Sequence, residues 1–473
     1  MMFPYLLSML GTLLVALAAS VAAGKRASRL IALAGTLVVL SLASYMLYLS
    51  IMQGSASFSE SLPYPYMSVF GITFSFHAGV VQLALVIMAA LVAFAAVLGG
   101  NVQADNVKSS NSLILLFELA AIGLFCSANL LVFYIFWDVG VVAGYFMIYS
   151  LGGALKKVAA NTYLVYSIFA SAVLLLGILM IYFYTPVHSF DISYIAANAA
   201  SIPAPVQETI FTLLFIAFII KMPIFPLHSW MPNAYAEAST QGSMLIGGVL
   251  SKFGAYGMLT LFLLLPISSH ASPYVFGLAT ISAFYAAFVA MRQTDLKRLV
   301  AYSSMVESAI ILAGISALNY FGTYGSVYLM LAHGLSISLL FLAVGAVHRL
   351  FGDTDMRMLH GIVKDATASA YTFLFGIFAS TGVPLTAGFI ADVLIFIGTI
   401  HTFGLVGAVP LLSIILLGAY MYYAVNRSFL STTTVSKARW HTGSAQLASY
   451  AVLITGILVF GVFPFLILSA VSI

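Results

Sequence analysis

Charge is what this sequence has least of. Acidic and basic residues make up 6% of 473 positions, against 63% hydrophobic residues and a mean hydropathy of +1.11. That balance excludes a soluble globular domain, which cannot hide so much apolar surface. Cysteine is nearly absent. Cys126 stands alone, so the chain forms no internal disulfide and holds no iron–sulfur cluster by itself. There is no CxxC pair, no P-loop and no Gly-x-Gly-x-x-Gly opening a helix, so no metal or cofactor site is expected in this chain. The first residues, MMFPYLLSML, lack the basic stretch and small-residue cleavage site of a signal peptide. They are expected to begin a first spanning helix that the mature protein keeps.

What is present is a succession of apolar runs. A spanning helix needs about 20 apolar residues, and hydropathy separates about fourteen such stretches. Their cores are 3–22, 30–50, 78–99, 112–128, 130–151, 160–184, 208–231, 242–265, 274–291, 299–318, 323–349, 369–400, 405–425 and 447–471. The bilayer admits helices or closed barrels. These runs are too long and uniformly apolar for barrel strands, so an all-α polytopic membrane protein is expected, a single membrane domain over 1–473.

Lys and Arg are not spread evenly. Lys25, Arg26, Arg29, Lys108, Lys156, Lys157, Arg292, Lys297, Arg298, Arg349, Arg357, Lys364, Arg427, Lys437 and Arg439 all fall in odd-to-even loops. The positive-inside rule then places those loops in the cytoplasm and both termini outside. A prokaryotic plasma membrane, or an equivalent energy-coupling membrane, is the expected location. Two basic residues remain, Lys221 and Lys252, both in apolar runs. Glu118, Asp138, Glu307, Asp392 and His333 join them, so seven ionisable groups lie in seven expected helices. Each costs at least a few kcal/mol in a bilayer. Such groups serve a pathway, a site, or a static ion pair that fixes packing.

Two of these charges lie beside broken helices. In KMPIFPLHSWMPNAYAEAS, Pro223 and Pro226 follow Lys221 and must interrupt helix 7, since each removes a backbone donor and clashes one turn back. In STGVPLTAGFIADVL, Gly382 and Pro384 precede Asp392 and interrupt helix 12. Irregular backbone at membrane depth is tolerated where protein covers it or it lines a wet cavity. Matching breaks are a mark of inverted repeats. The expected layout is helices 1–3 over 1–111, a first repeat of helices 4–8 over 112–265, a second of helices 9–13 over 274–425, and helix 14 within 426–473.

Burial disfavours the charged form of an amine, and an adjacent carboxylate favours it. Moving the carboxylate therefore drives proton uptake or release. A thousandfold change in proton affinity is worth about 4 kcal/mol, and moving a proton against about 150 mV costs about 3.5 kcal/mol. The magnitudes match. Asp138, Lys221 and Lys252 form the first part of a candidate proton line, with Glu307, His333 and Asp392 continuing it. Ser and Thr in AYSSMVES and HGLSIS can hold water between them. Glu118 has no obvious partner, and His228 and Glu237 are candidates for a cytoplasmic entrance.

The stretches IFWDVGVVAGYFMIYSLGG, IKMPIFPLHSWMPNAYAEASTQGSMLIGGVLSKFGAYGML, RQTDLKRLVAYSS, LAHGLSISLLFLAVGAVHRLFGDTDMRMLHGI and GVPLTAGFIADVLIF together resemble the antiporter-like membrane subunits of respiratory complex I. That family includes subunits of Mrp-type Na+/H+ antiporters and energy-converting hydrogenases. The likeness runs from about residue 70 to 425 and is greatest to the M-type: no long lateral helix follows helix 14, and position 392 is an acid rather than a lysine. The resemblance implies a non-redox, proton-translocating subunit. Its helix 5 carboxylate falls on Asp138, its helix 7 and 8 lysines on Lys221 and Lys252, its helix 11 histidine on His333 and its terminal helix 12 acid on Asp392. Glu118 matches a frequent helix 4 glutamate. It also implies further antiporter-like membrane subunits as partners, with FMN, iron–sulfur clusters and quinone held by other chains, and no nucleic acid. Three departures stand out. Asp replaces Glu at 138 and at 392, so direct contact with lysine is expected to become water-mediated. Glu307 stands where histidine is usual, which leaves His333 without its usual partner.

Overall fold

A computed structural model describes residues 4–54, 57–62, 73–100, 106–431 and 442–468. Lys437 and Arg439 lie outside the described residues. The apolar runs fold as helices α1 (Tyr5–Ala22), α2 (Lys25–Met52), α3 (Val80–Leu98), α4 (Val107–Phe125), α5 (Leu130–Tyr149) and α6 (Lys156–Tyr184). Then come α7a (Ala204–Lys221), α7b (Met231–Glu237), α8 (Thr240–Leu264), α9 (Ser268–Ala290), α10 (Leu296–Ser316) and α11 (Tyr320–Phe351). Helix 12 is divided into α12a (Thr367–Ser380) and α12b (Ala387–Phe403). α13 runs through Gly404–Leu411, Leu412–Ala424 and a π turn at Val425–Phe429, and α14 is Ser444–Val462.

Thirteen helices among the described residues are long and apolar enough to cross a bilayer, against the fourteen expected. The difference has a physical origin. The break leaves α12a too short to count, and α12b continues into α13 as one apolar segment of 43 residues, Ala387–Phe429. That segment turns at Gly404, whose φ of +65° favours glycine. Gly407 then packs on the Thr399 carbonyl, so the segment doubles back. Counting α12a with α12b, and α13 apart, restores fourteen passes.

The expectation of helix alone needs one addition. β1 (Phe58–Leu62) and β2 (Phe74–Ala78) form an antiparallel pair with Phe58 opposite Ala78 and Glu60 opposite Phe76. Glu60 accepts hydrogen bonds from the amides of Leu6 (3.0 Å) and Leu7 (2.8 Å), so the hairpin satisfies free donors at the start of α1.

Caps fix the ends that hydropathy leaves open. Asn129 separates α4 from α5 by accepting from the amides of Leu131 and Val132. Asn319 caps α11 through Gly322 N at 2.9 Å and donates to Gly398 O (2.6 Å) and Thr402 Oγ1 (2.8 Å), tying α11 to α12b. Asn319→Ala is expected to cost about 2–3 kcal/mol, the sum of a lost cap and a lost inter-helix bond. Thermal unfolding of the subunit in detergent measures it.

α8, α10 and α11 occupy the centre. In α11 the most apolar stretch is completely buried, so it meets protein on every side. Small residues permit the close approach: Gly248 of α8 lies against Ser338 and the Gly334 carbonyl of α11. At one end of the bundle a cavity of about 900 Å³ gathers Arg29, Arg292, Lys297, Arg298 and Arg349 with Glu237. These basic residues come from three odd-to-even loops, 1–2, 9–10 and 11–12, which meet at this end. A second cavity, of about 790 Å³, lies at the hairpin end.

Candidate functional site

Side chains bond backbone groups at the first helix break. α7a ends on Lys221, and the Ile220 carbonyl freed by the break accepts from Trp230 Nε1 at 2.9 Å. Phe225 N donates to Ser282 Oγ at 3.1 Å. At the other break Gly382 adopts φ +67°, and a Cβ there would strike the Asp392 carboxylate. Leu385 is held at φ +76°, a conformation that branched side chains resist. The two breaks use opposite helix ends. Lys221 sits at the C-terminus of α7a, where the helix dipole favours a cation. Asp392 lies in the second turn of α12b, near the N-terminus that favours an anion.

Five of the seven expected ionisable groups are fully enclosed: Glu118, Lys221, Lys252, Glu307 and His333 are each at most 2% exposed. Asp138 and Asp392 are half-buried in the single chain.

Lys221 has unusual company. Its ammonium lies 5.4 Å from the Trp137 ring centroid and 5.0 Å from that of Tyr163, both presenting electron-rich faces. Its Nζ donates to Ser167 Oγ at 3.1 Å. Asp138 makes no ion pair with it; among the described residues the one ion pair is Arg357–Asp355, in the loop after α11. That contact holds the Asp355 carboxyl below its usual range. Asp138 Oδ1 instead accepts from Ser171 Oγ at 2.6 Å, and Ser171 accepts from Trp137 Nε1 at 3.2 Å. The expected loss of direct contact between Asp138 and lysine is thus met by hydroxyls of α6.

Lys252 is held differently. A π turn at Ile246–Leu250 precedes it and frees carbonyls. Its Nζ donates to Gly247 O (3.0 Å) and Ser251 Oγ (3.0 Å), and it meets His333 Nδ1 at 3.2 Å. With a charged lysine as donor, Nδ1 accepts and the imidazole proton sits on Nε2. His333 therefore has a partner despite the missing helix 10 histidine. His333 Nε2, Glu307 Oε1, Ser304 Oγ, Ser380 Oγ and Tyr420 Oη have no hydrogen-bond partner among the described residues. Buried orphans of this kind cost about 1–3 kcal/mol each unless water serves them. The same holds for both oxygens of Glu118.

The two entrance candidates separate. Glu237 lines the basic cavity and accepts from Leu155 N at 2.9 Å. His228 is buried between Phe225 and Tyr285 rings, 6.0 and 5.0 Å away, and does not line that cavity. Sequence reasoning passed over Ser167, Ser171, Trp137 and Tyr163. The signal lay in YSIFASAV, two serines one turn apart in an otherwise apolar helix.

A polytopic helical bundle with a buried chain of amines and carboxyls at two helix breaks defines a class of ion-moving membrane proteins. Residues 127–418 match the NADH:quinone oxidoreductase/Mrp antiporter transmembrane family, and the chain belongs to that family. It is 33% identical over 404 residues to NADH-quinone oxidoreductase subunit M of Rickettsia felis, covering 83% of this chain and 81% of that protein. It is 30% identical to F(420)H(2) dehydrogenase subunit M of Methanosarcina mazei, covering 91% and 88%. Among solved structures, a chain of respiratory complex I from Thermus thermophilus superposes with a TM-score of 0.84 at 23% identity over 98% of both chains. A chain of the Mrp complex from Dietzia sp. gives 0.87 at 19% identity over 99% and 97%.

Proposed function

We propose that this chain is a proton-translocating membrane-arm subunit of a complex I-like oxidoreductase that passes electrons from NADH or another donor to quinone. The observation that carries the reading is the run of enclosed groups Lys221, Lys252–His333 and Glu307, flanked by the half-buried Asp138 and Asp392 and lying at both helix breaks. The subunits named for its relatives support it.

In this reading the basic cavity faces the cytoplasm, Glu237 stands at its mouth, and both termini face outward. The first repeat takes up a proton at Lys221. His333 Nδ1 receives it through Lys252, and water among Glu307, Ser380 and Tyr420 carries it to Asp392. Electron transfer occurs in other chains, which hold FMN, iron–sulfur clusters and quinone. A change in the charge or position of Asp138, set by the neighbouring subunit, switches the proton affinity of Lys221.

The second reading is a subunit of an Mrp-type Na+/H+ antiporter or an energy-converting hydrogenase, favoured by the superposition on the Mrp chain. One experiment separates them. The tagged chain, purified from its native membrane, is expected to bring quinone-linked redox subunits. Vesicles bearing the complex are expected to take up protons when donor is added, with Lys252→Ala lowering uptake at least about tenfold, the effect of one displaced relay group. Small antiporter subunits in place of a redox arm would overturn the first reading.

A further inference from the structure

We infer that Ser167 and Ser171 of α6 are positioning residues that carry the coupling between Asp138 and Lys221 in this chain. The inference rests on the proton-translocating reading above and deepens it. Asp138 is one methylene shorter than glutamate, and no ion pair joins it to Lys221. Each partner is instead held by its own serine: Lys221 Nζ donates to Ser167 Oγ at 3.1 Å, and Ser171 Oγ donates to Asp138 Oδ1 at 2.6 Å.

The two hydroxyls lie four residues apart on α6. That spacing stacks them on one face, with Cβ atoms about 5–6 Å apart, a gap that one water closes. Ser167 is 3% and Ser171 7% exposed, so bulk solvent does not compete. Valence allows the chain to be complete. A hydroxyl donates once and accepts twice. Ser171 spends its proton on Asp138 and accepts from Trp137 Nε1 at 3.2 Å, with one lone pair to spare. Ser167 accepts from Lys221 and keeps its own proton to send towards Ser171.

The arrangement has a direction. When Lys221 gives up its proton, the amine becomes an acceptor and Ser167 reverses to donate to it. The reversal passes through the intervening water to Ser171 and so to Asp138. No bond other than O–H and N–H forms or breaks, and the number of protons is conserved. The neighbouring rings of Trp137 and Tyr163 hold the ammonium without a carboxylate in contact. Asp138 can therefore act at a distance.

The test is a rescue. Donor-driven proton uptake is measured in vesicles carrying the assembled complex, normalised to subunit content. Ser167→Ala/Ser171→Ala is expected to lower uptake about tenfold or more, the scale of a hydrogen bond to a charged group. Adding Asp138→Glu to that pair is expected to restore at least a third of it, because the longer carboxylate reaches the amine directly. Threonine at both positions keeps the hydroxyls and is expected to restore uptake too. A merely packing role predicts no rescue by glutamate. The inference fails if the double alanine variant pumps normally, or if it is lowered and glutamate leaves it unchanged. Lys221→Ala in the same assay separates the two levels. If that variant pumps normally, the proton-translocating reading falls; if it is inactive while the serine variants pump, only the bridge falls.

Discussion

Lys221→Ala is expected to reduce donor-driven proton uptake at least tenfold while the subunit still folds and joins its complex. Both halves follow from the surroundings of the amine. Lys221 is fully enclosed, and it closes α7a at the break. Without it, a proton has no nitrogen to occupy on the first half of the line, and relay groups of this kind are worth about a hundredfold or more. Folding should survive because the favourable and unfavourable terms are close. Alanine forfeits one hydrogen bond, to Ser167, and two ring contacts. It also removes the cost of enclosing an ammonium away from water, which is several kcal/mol. Proton uptake in vesicles, set against the amount of assembled complex on a native gel, reads both outcomes. Unchanged uptake in a correctly assembled variant would sink the relay.

Gly254→Val should have the larger effect on the structure itself. α8 crosses the end of α7a so closely that a Cβ on Gly254 would lie 2.6 Å from Phe218 O, 2.9 Å from Met222 N and 3.0 Å from Lys221 Cβ. Two of those three atoms are backbone and cannot swing aside. Gly257, one turn on, lies against the Phe218 ring, so the neighbouring turn offers no slack. Overpacking costs about 1–3 kcal/mol when side chains can adjust, and more is expected where backbone must move. The displaced α8 would also carry Lys252 away from His333, now 3.2 Å off. Loss of most of the subunit from the membrane fraction, with the remainder failing to pump, is the expected result. Normal abundance of Gly254→Val would mean that α8 and α7a do not approach as described.

The helices were legible because lipid imposes one demand on every spanning segment, a long apolar run, and hydropathy measures it directly. The buried charges were legible for the converse reason: Lys221 or Glu307 stands out where almost nothing else is polar. The two breaks were legible because Pro223 and Pro226 cannot continue a helix and Gly382 can turn where others cannot, although the helix ends at Lys221 and Ser380 were not. The division between helices 12 and 13 was also expected between 400 and 405, where Gly404 turns the chain. Sequence could not show how the charges are held. Serine carries little hydropathy signal, so Ser167 and Ser171 read as ordinary members of a helix. Tryptophan and tyrosine are interfacial anchors by default, and nothing in the sequence sets apart Trp137 and Tyr163, which are completely enclosed around an amine. The separation of His228 from Glu237 likewise depends on how α7b folds back, a tertiary fact with no local signature.

Asp138 and Asp392 are each only partly covered by this chain. A carboxylate left against hydrocarbon tails is costly, so each is a socket awaiting a cover. In the proton-translocating reading the subunit is one cell of a battery, with Asp138 and Asp392 as terminals to be closed by adjoining cells.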